Sequence, residues 1–204
     1  MNRPDYSIEQ ALNYHQIAGI DEVGRGPWAG PVTAAAVILH PDAIPDGLND
    51  SKKLSHKKRV LLATEIYETA NVGIGSASVE EIDTMNILQA SYLAMRRAVA
   101  NLSCPPDYLL VDGNRMPSGM ICHGHTLIKG DTRSASIAAA SIVAKVHRDA
   151  HMEELAEDFP HYGWETNRGY GTQKHQLSLS RHGATQHHRR SFKPIHNILY
   201  PAKS

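Results

Sequence analysis

Cysteine is nearly missing from this chain: 204 residues carry two, Cys104 and Cys122. Two thiols cannot supply the framework of a disulfide-stapled secreted fold, and their separation does not resemble a zinc-ligand pair. A reducing, cytoplasmic setting is therefore the expectation. Long apolar runs are missing too. No stretch approaches the roughly 20 apolar residues that a bilayer-spanning helix needs. The opening "MNRPDYSIEQALNY" also has no apolar core of signal-peptide type, so no membrane is expected as a partner. Nor is there an excess of either charge, with 21 Lys plus Arg against 21 Asp plus Glu. Bulk charge does not announce a nucleic-acid binder. Repeats and low-complexity linkers are absent, and 41% apolar with 21% charged residues excludes disorder over most of the chain. The length suits one sizeable α/β domain with a small appendage.

What is present is charge unevenly spread. "SKKLSHKKR" packs Lys52, Lys53, Lys57, Lys58 and Arg59 without an acid, and the chain from Gly169 to Ser204 has no Asp or Glu. Acids concentrate in "SVEEID" and "HMEELAED". Two basic regions flanking an acid-bearing centre favour an anionic partner over two solvated surfaces.

The apolar pattern predicts a strand over about 17–23, a turn punctuated by Gly24, Gly26 and Pro27, and a second strand over about 31–39. Such close neighbours make an antiparallel pair. Ser55 is placed to cap a helix running to about Thr69, and "NVGIGSASV" alternates as a third strand. A helix over about 85–100 is stopped by Pro105–Pro106. "DYLLVDG" is a short buried strand, "ICHGHTLIKGD" a weaker one, and "RSASIAAASIVAKVHRDAHMEELAEDF" a long helix closed by Pro160. A short helix near 173–181 and a basic tail complete the chain. The order implies an α/β fold, one mixed sheet flanked by helices.

Three strand-like segments end in acids: Asp21–Glu22, Asp112 and Asp131. In open α/β sheets, sites form where strand ends converge. Four carboxylates brought together repel one another unless cations neutralise them, and magnesium or manganese prefers such all-oxygen ligands. Pairs of such ions, about 3.5–4 Å apart, activate water and stabilise a leaving oxygen in phosphoryl chemistry. Adjacent strand residues point to opposite faces, so Asp21 and Glu22 share a site only if the strand end twists or bulges. Zinc is not expected at His187–His188 or at "CHGH", because no second half of a ligand set is evident. Alternating exposed and buried positions of a strand explain "CHGH" better.

The segment "GIDEVGRGPWAGPV", followed in order by "DSKKLS", "LLVDGN", "IKGD", "SASIAAASIVAKVHRD", "NRGYGT" and "HGATQHHRRSFKP", resembles the ribonuclease HII family of type 2 ribonucleases H. The resemblance implies a ribonuclease H-like mixed β-sheet flanked by helices, with a small helical C-terminal extension. It implies a single domain over 1–204, of which about 160–204 contacts substrate. By the same resemblance, Asp21, Glu22, Asp112 and Asp131 are the metal-binding catalytic acids, holding two Mg2+ or Mn2+ ions. Gly24, Arg25 and Gly26 read the ribonucleotide, and Tyr170 packs at the junction. Lys52, Lys53 and the tail "RHGATQHHRRSFK" would neutralise phosphates in a salt-sensitive, sequence-independent way. The implied activity is an endoribonuclease acting on RNA/DNA hybrids and cutting 5′ of single ribonucleotides in duplex DNA. It would leave 3′-hydroxyl and 5′-phosphate ends, serve ribonucleotide removal in replication and repair, and act as a monomer. The related ribonuclease HIII usually carries an N-terminal substrate-binding domain, and about sixteen residues before the first strand leave no room for one.

Overall fold

The chain begins with a short helix whose buried acid anchors it. In the computed structural model, which describes residues 3–201, α1 (Ser7–Ala11) turns Glu9 inward. Glu9 Oε1 accepts from Ser134 Oγ at 2.6 Å and from the Ser136 N–H at 2.8 Å, pinning α1 to the start of a later helix. The sheet follows. β1 (Ile17–Val23) and β2 (Val32–Ile38) pair antiparallel as expected, with Ala18 opposite Ile38 and Val23 opposite Thr33. After α2 (His56–Thr69), capped by Ser55 Oγ accepting from the Lys58 N–H, β3 (Asn71–Ala77) extends the antiparallel side.

The helix expected over 85–100 is present from Ile87, and a shorter helix that was not expected precedes it. α3 (Val79–Met85) starts at a reciprocal Ser78–Glu81 capping box, and α4 (Ile87–Ala100) starts afresh at Asn86. Asn86 sits at φ 75°, and its Oδ1 accepts from the Leu88 and Gln89 N–H groups. That side-chain cap competes with the helix backbone and breaks it.

β4 (Tyr108–Asp112) and β5 (Gly124–Leu127) lie parallel to β1, giving the order β3-β2-β1-β4-β5. β5 is shorter than the apolar pattern suggested. It ends at Leu127, so Asp131 is not at a strand end but in a 3-10 turn, Gly130–Thr132, that follows a left-handed Lys129. α5 (Ala135–Asp158) runs the predicted course from a Ser134 cap, ahead of Pro160.

Helices cover both faces. α4 and β1–β4 enclose one apolar cluster that includes Ile20, Ala94 and Leu109, and α2 and α5 close a second over Val37, Leu62 and Ile142. Each fully buried Leu or Ile contributes about 1.5–3 kcal/mol by leaving water. α5 crosses β1 so closely that a Cβ on Gly19 would lie 2.2 Å from the Ser136 carbonyl carbon.

Beyond Pro160, α6 (Trp164–Asn167), α7 (Gln173–His182) and α8 (Lys193–Leu199) gather around Trp164, Tyr162 and Ile195, with Met152 of α5 and Ala29 of the β1–β2 loop. The basic tail is thus folded, and the ends of the expected 1–204 domain (1–2 and 202–204) lie outside the described residues. Among the described residues no helix is long and apolar enough to cross a membrane.

Candidate active site

β1 and β4 run parallel in register, Ile20 opposite Val111, so Asp21 and Asp112 follow one another off neighbouring carboxyl ends. Both belong to the face covered by α5, the alternate positions Gly19 and Leu110 meeting Ile137 there. Asp112 Oδ1 accepts from the Gly130 N–H at 2.7 Å, which holds the turn carrying Asp131 against β4. Asp21 and Asp131 are each only 7% exposed.

Glu22 keeps the opposite face. The ladder with β2 is unbroken through Val23, so no bulge redirects it, contrary to one route expected from the strand geometry. It reaches the group round the strand end, in a 340 Å³ cavity lined with Arg25, Asp112, Asn114 and Arg115. Its Oε1 accepts from Arg25 Nη1 at 3.1 Å.

The electrostatics bind these acids into one group. Burial, then the charges of Glu22, Asp112 and Asp131, push the Asp21 carboxyl well above its ordinary 3.8. Burial raises Glu22 as well, with Arg25 opposing and Asp112 adding. Asp131 rises through burial, Asp50 and Asp112, with Lys52 opposing. Lys52 is raised although burial opposes, because Asp50, Asp21, Asp131 and Asp112 all face it. Lys53, the next residue, is exposed. Asp50 was not singled out from the sequence, although "DSKKLS" contains it. Its Oδ1 accepts from the Lys52 N–H at 3.0 Å and sets the turn.

The four acids, with Lys52, Arg25 and Arg115 nearby, form an all-oxygen donor set. Its chemistry fits a hard divalent cation. Among the described residues no three His, Cys, Asp or Glu side chains already converge as a ready-made cage. Splayed carboxylates are what mutual repulsion dictates.

Gly24, Arg25 and Gly26 leave β1 directly beside the acids. Gly24 has φ +92°, a conformation that disfavours any side chain. Tyr170 is not a core residue: it is 48% exposed, and a Cβ on Gly26 would stand 3.3 Å from its Cε1. The tail differs from expectation. His188 and Arg189 are fully buried, so they cannot neutralise phosphate. Arg189 and the equally buried Arg148 donate to backbone carbonyls around the β1–β2 loop, which satisfies guanidinium groups that water cannot reach.

A mixed five-stranded sheet with acids at the carboxyl ends of its parallel strands is a ribonuclease H-like α/β domain. The family model for ribonuclease HII matches residues 18–195. Ribonuclease HII of Jannaschia sp. (strain CCS1) is 61% identical over 196 residues, 96% of this chain and 98% of the relative. That of Ruegeria pomeroyi is 58% identical over 203 residues, 98% and 87% of the two chains. The chain belongs to the ribonuclease HII family, and is a metal-dependent endoribonuclease of ribonuclease H type acting on RNA/DNA hybrids. Solved structures agree in fold. Ribonuclease H2 from Pyrococcus horikoshii superposes with a TM-score of 0.76 at 24% identity, over 90% of this chain and 97% of that one. Bst-RNase HIII in complex with Mn2+ gives 0.76 at 20%, over 95% and 72%.

Proposed function

We propose that Asp21, Glu22, Asp112 and Asp131 hold a pair of divalent cations, Mg2+ or Mn2+. With them the enzyme cuts duplexes on the 5′ side of a ribonucleotide, leaving 3′-hydroxyl and 5′-phosphate ends. One observation carries this reading: the four acids form a single charge-coupled group beside the Gly24–Arg25–Gly26 loop, with Tyr170 standing exposed against Gly26. When bound, such ions supply Lewis acidity toward water and toward the scissile phosphate.

The chain's own residues do the rest. Asp21, buried and central to the group, orients the cluster, and the Gly130 N–H fixes the Asp112 carboxylate. Lys52 brings a compact positive charge to the rim of the acids, where a phosphate oxygen would lie. The glycine-flanked loop lets backbone groups reach the 2′-hydroxyl, the one group that separates RNA from DNA. That hydroxyl is recognised and is not the nucleophile. The half-exposed Tyr170 ring offers a stacking face to the sugar or base at the junction. Lys53 and the exposed basic side chains of 160–201 provide phosphate contacts on a duplex. Ribonucleotide removal during replication and repair, in the cytoplasm and as a monomer, follows as the biological role. The PCNA:RNase HII complex from Archaeoglobus fulgidus (27% identity, TM-score 0.73, over 88% of this chain and 96% of that one) shows an assembly of that protein.

The test is a duplex with one embedded ribonucleotide beside the same all-DNA duplex, incubated with Mg2+, with Mn2+ and with a chelator. Cutting only of the first, only with an ion and only 5′ of the ribonucleotide is expected. Equal cutting of both duplexes would overturn the reading.

A further inference from the structure

Among the described residues Arg189 has no carboxylate partner, yet it is wholly buried and its donors are spent on one loop. Its Nη2 donates to the Gly24 carbonyl at 2.6 Å and to that of Pro31 at 3.1 Å. Its Nη1 donates to the Arg25 carbonyl at 3.0 Å, and its Nε to that of Gly30 at 2.9 Å. The planar fork thus clamps both ends of the 24–31 turn, with the Phe192 ring 5.0 Å beneath it. Arg148 braces the turn from α5, donating to the Pro31 carbonyl at 2.9 Å and to that of Ala29 at 3.1 Å.

The consequence lies in the peptide planes. No cis peptide occurs among the described residues, and in a trans peptide C=O and N–H point in opposite directions. With the Gly24 and Arg25 carbonyls turned inward onto Arg189, the N–H groups of Arg25 and Gly26 turn outward. Neither N–H has an acceptor within the protein among the described residues, and the Gly26 backbone faces Tyr170.

We infer that Arg189 is a positioning residue: from beneath the loop it presents the Arg25 and Gly26 N–H groups as a fixed pair of donors for the 2′-hydroxyl oxygen of the ribonucleotide. This deepens the proposed function and rests on it. Lysine cannot stand in, because one ammonium with three donors cannot span four carbonyls set around a fork. Arg189→Lys keeps an amine donor at the site but loses the fork that sets the loop geometry.

Two measurements test this. In Arg189→Lys, kcat/KM on the embedded-ribonucleotide duplex should fall about a hundredfold, the scale of an ångström's misplacement. Its affinity for the all-DNA duplex should stay within about twofold of wild type, so that discrimination is what is lost. A folded Arg189→Lys protein with wild-type kcat/KM and wild-type discrimination overturns the inference. Should that variant fail to fold, the wild-type loop still answers through amide NMR in the cleavage-dead Asp21→Asn background. There the Arg25 and Gly26 amide signals should move when the ribonucleotide duplex binds and stay in place with the all-DNA duplex. Identical spectra for both bound duplexes overturn it. If instead the wild-type enzyme itself ignores the ribonucleotide, the proposed function fails before the role of Arg189 is reached.

Discussion

Asp21 shows how a residue proposed to serve function can cost stability. Its carboxyl is raised well above 3.8 by burial and by Glu22, Asp112 and Asp131. A folded-state pKa above the unfolded one means that the native protein binds the proton more readily. Stability is therefore lost as pH rises from 3.8 through the folded value, and at neutral pH the ionised group works against the fold. Asp21→Asn removes that charge at nearly constant shape. Without divalent ions the variant should melt a few degrees above wild type, at about 2–4 °C per kcal/mol for a domain of this size. It should also cut nothing. Added Mg2+ or Mn2+ should raise the wild-type melting temperature more than that of the variant. Calorimetry in chelator and then in each ion checks both halves. A variant that melts below wild type in chelator would show that the folded protein already stabilises the Asp21 charge.

The contact of α5 with β1 sets where the acids meet. A Cβ at Gly19 would fall 2.2 Å from the Ser136 carbonyl carbon and 2.3 Å from the Ile137 nitrogen. Those are main-chain atoms of the first helical turn and cannot swing aside. Gly19→Ala should cost about 3 kcal/mol, read as a lower urea midpoint. Its folded fraction should cut more slowly, because Asp131 sits in the turn that leads into that helix. The strand and the helix were both legible from periodicity, but their close crossing was not, since a glycine inside an apolar run announces nothing about what lies over it. The short helix Val79–Met85 was hidden for a related reason: seven residues show too little apolar period, and the positive φ of Asn86 that ends it leaves no mark in the sequence. Asp131 stands out in its motif, yet its three-residue turn is too short for periodicity to separate from β5. The carboxylates were legible because acids that end apolar runs are conspicuous. Arg148 and Arg189 were not, because their acceptors are main-chain carbonyls as far as 165 residues away in the chain, and a basic tail reads as surface.

Across the whole molecule, the C-terminal helices are joined to the Tyr170 segment through neutral histidines. The His175 Nδ1–H donates to the Tyr170 carbonyl at 2.9 Å, which leaves Nε2 as an acceptor for the Trp164 Nε1–H at 3.3 Å and the His188 Nε2–H at 3.0 Å. His188 Nδ1 in turn accepts from the Thr185 N–H at 2.9 Å. Protonating either ring sets N–H against N–H in a buried site. Burial accordingly lowers His188 from 6.5 to about 3, helped by His175, and lowers His175 too, with the Tyr170 carbonyl opposing. The unfolded chain takes up these protons first as pH falls, so this contribution is whole above 6.5 and drains away on acidification. For His188 alone the slope is about 1.4 kcal/mol per pH unit, extending down to about pH 3. The raised carboxylates Asp21, Glu22 and Asp131 work with the opposite sign at the acid end of the same range, so wild type alone cannot isolate the effect. Comparison with His188→Gln can: urea midpoints at pH 7, 6 and 5, followed by Trp164 fluorescence, should converge as pH falls, because only wild type has a histidine to protonate there. A constant gap would mean that the His175–His188 contact is not held in its neutral form. Because Tyr170 hangs on the same chain of bonds, ribonucleotide cutting should fall away on acidification in wild type together with this loss.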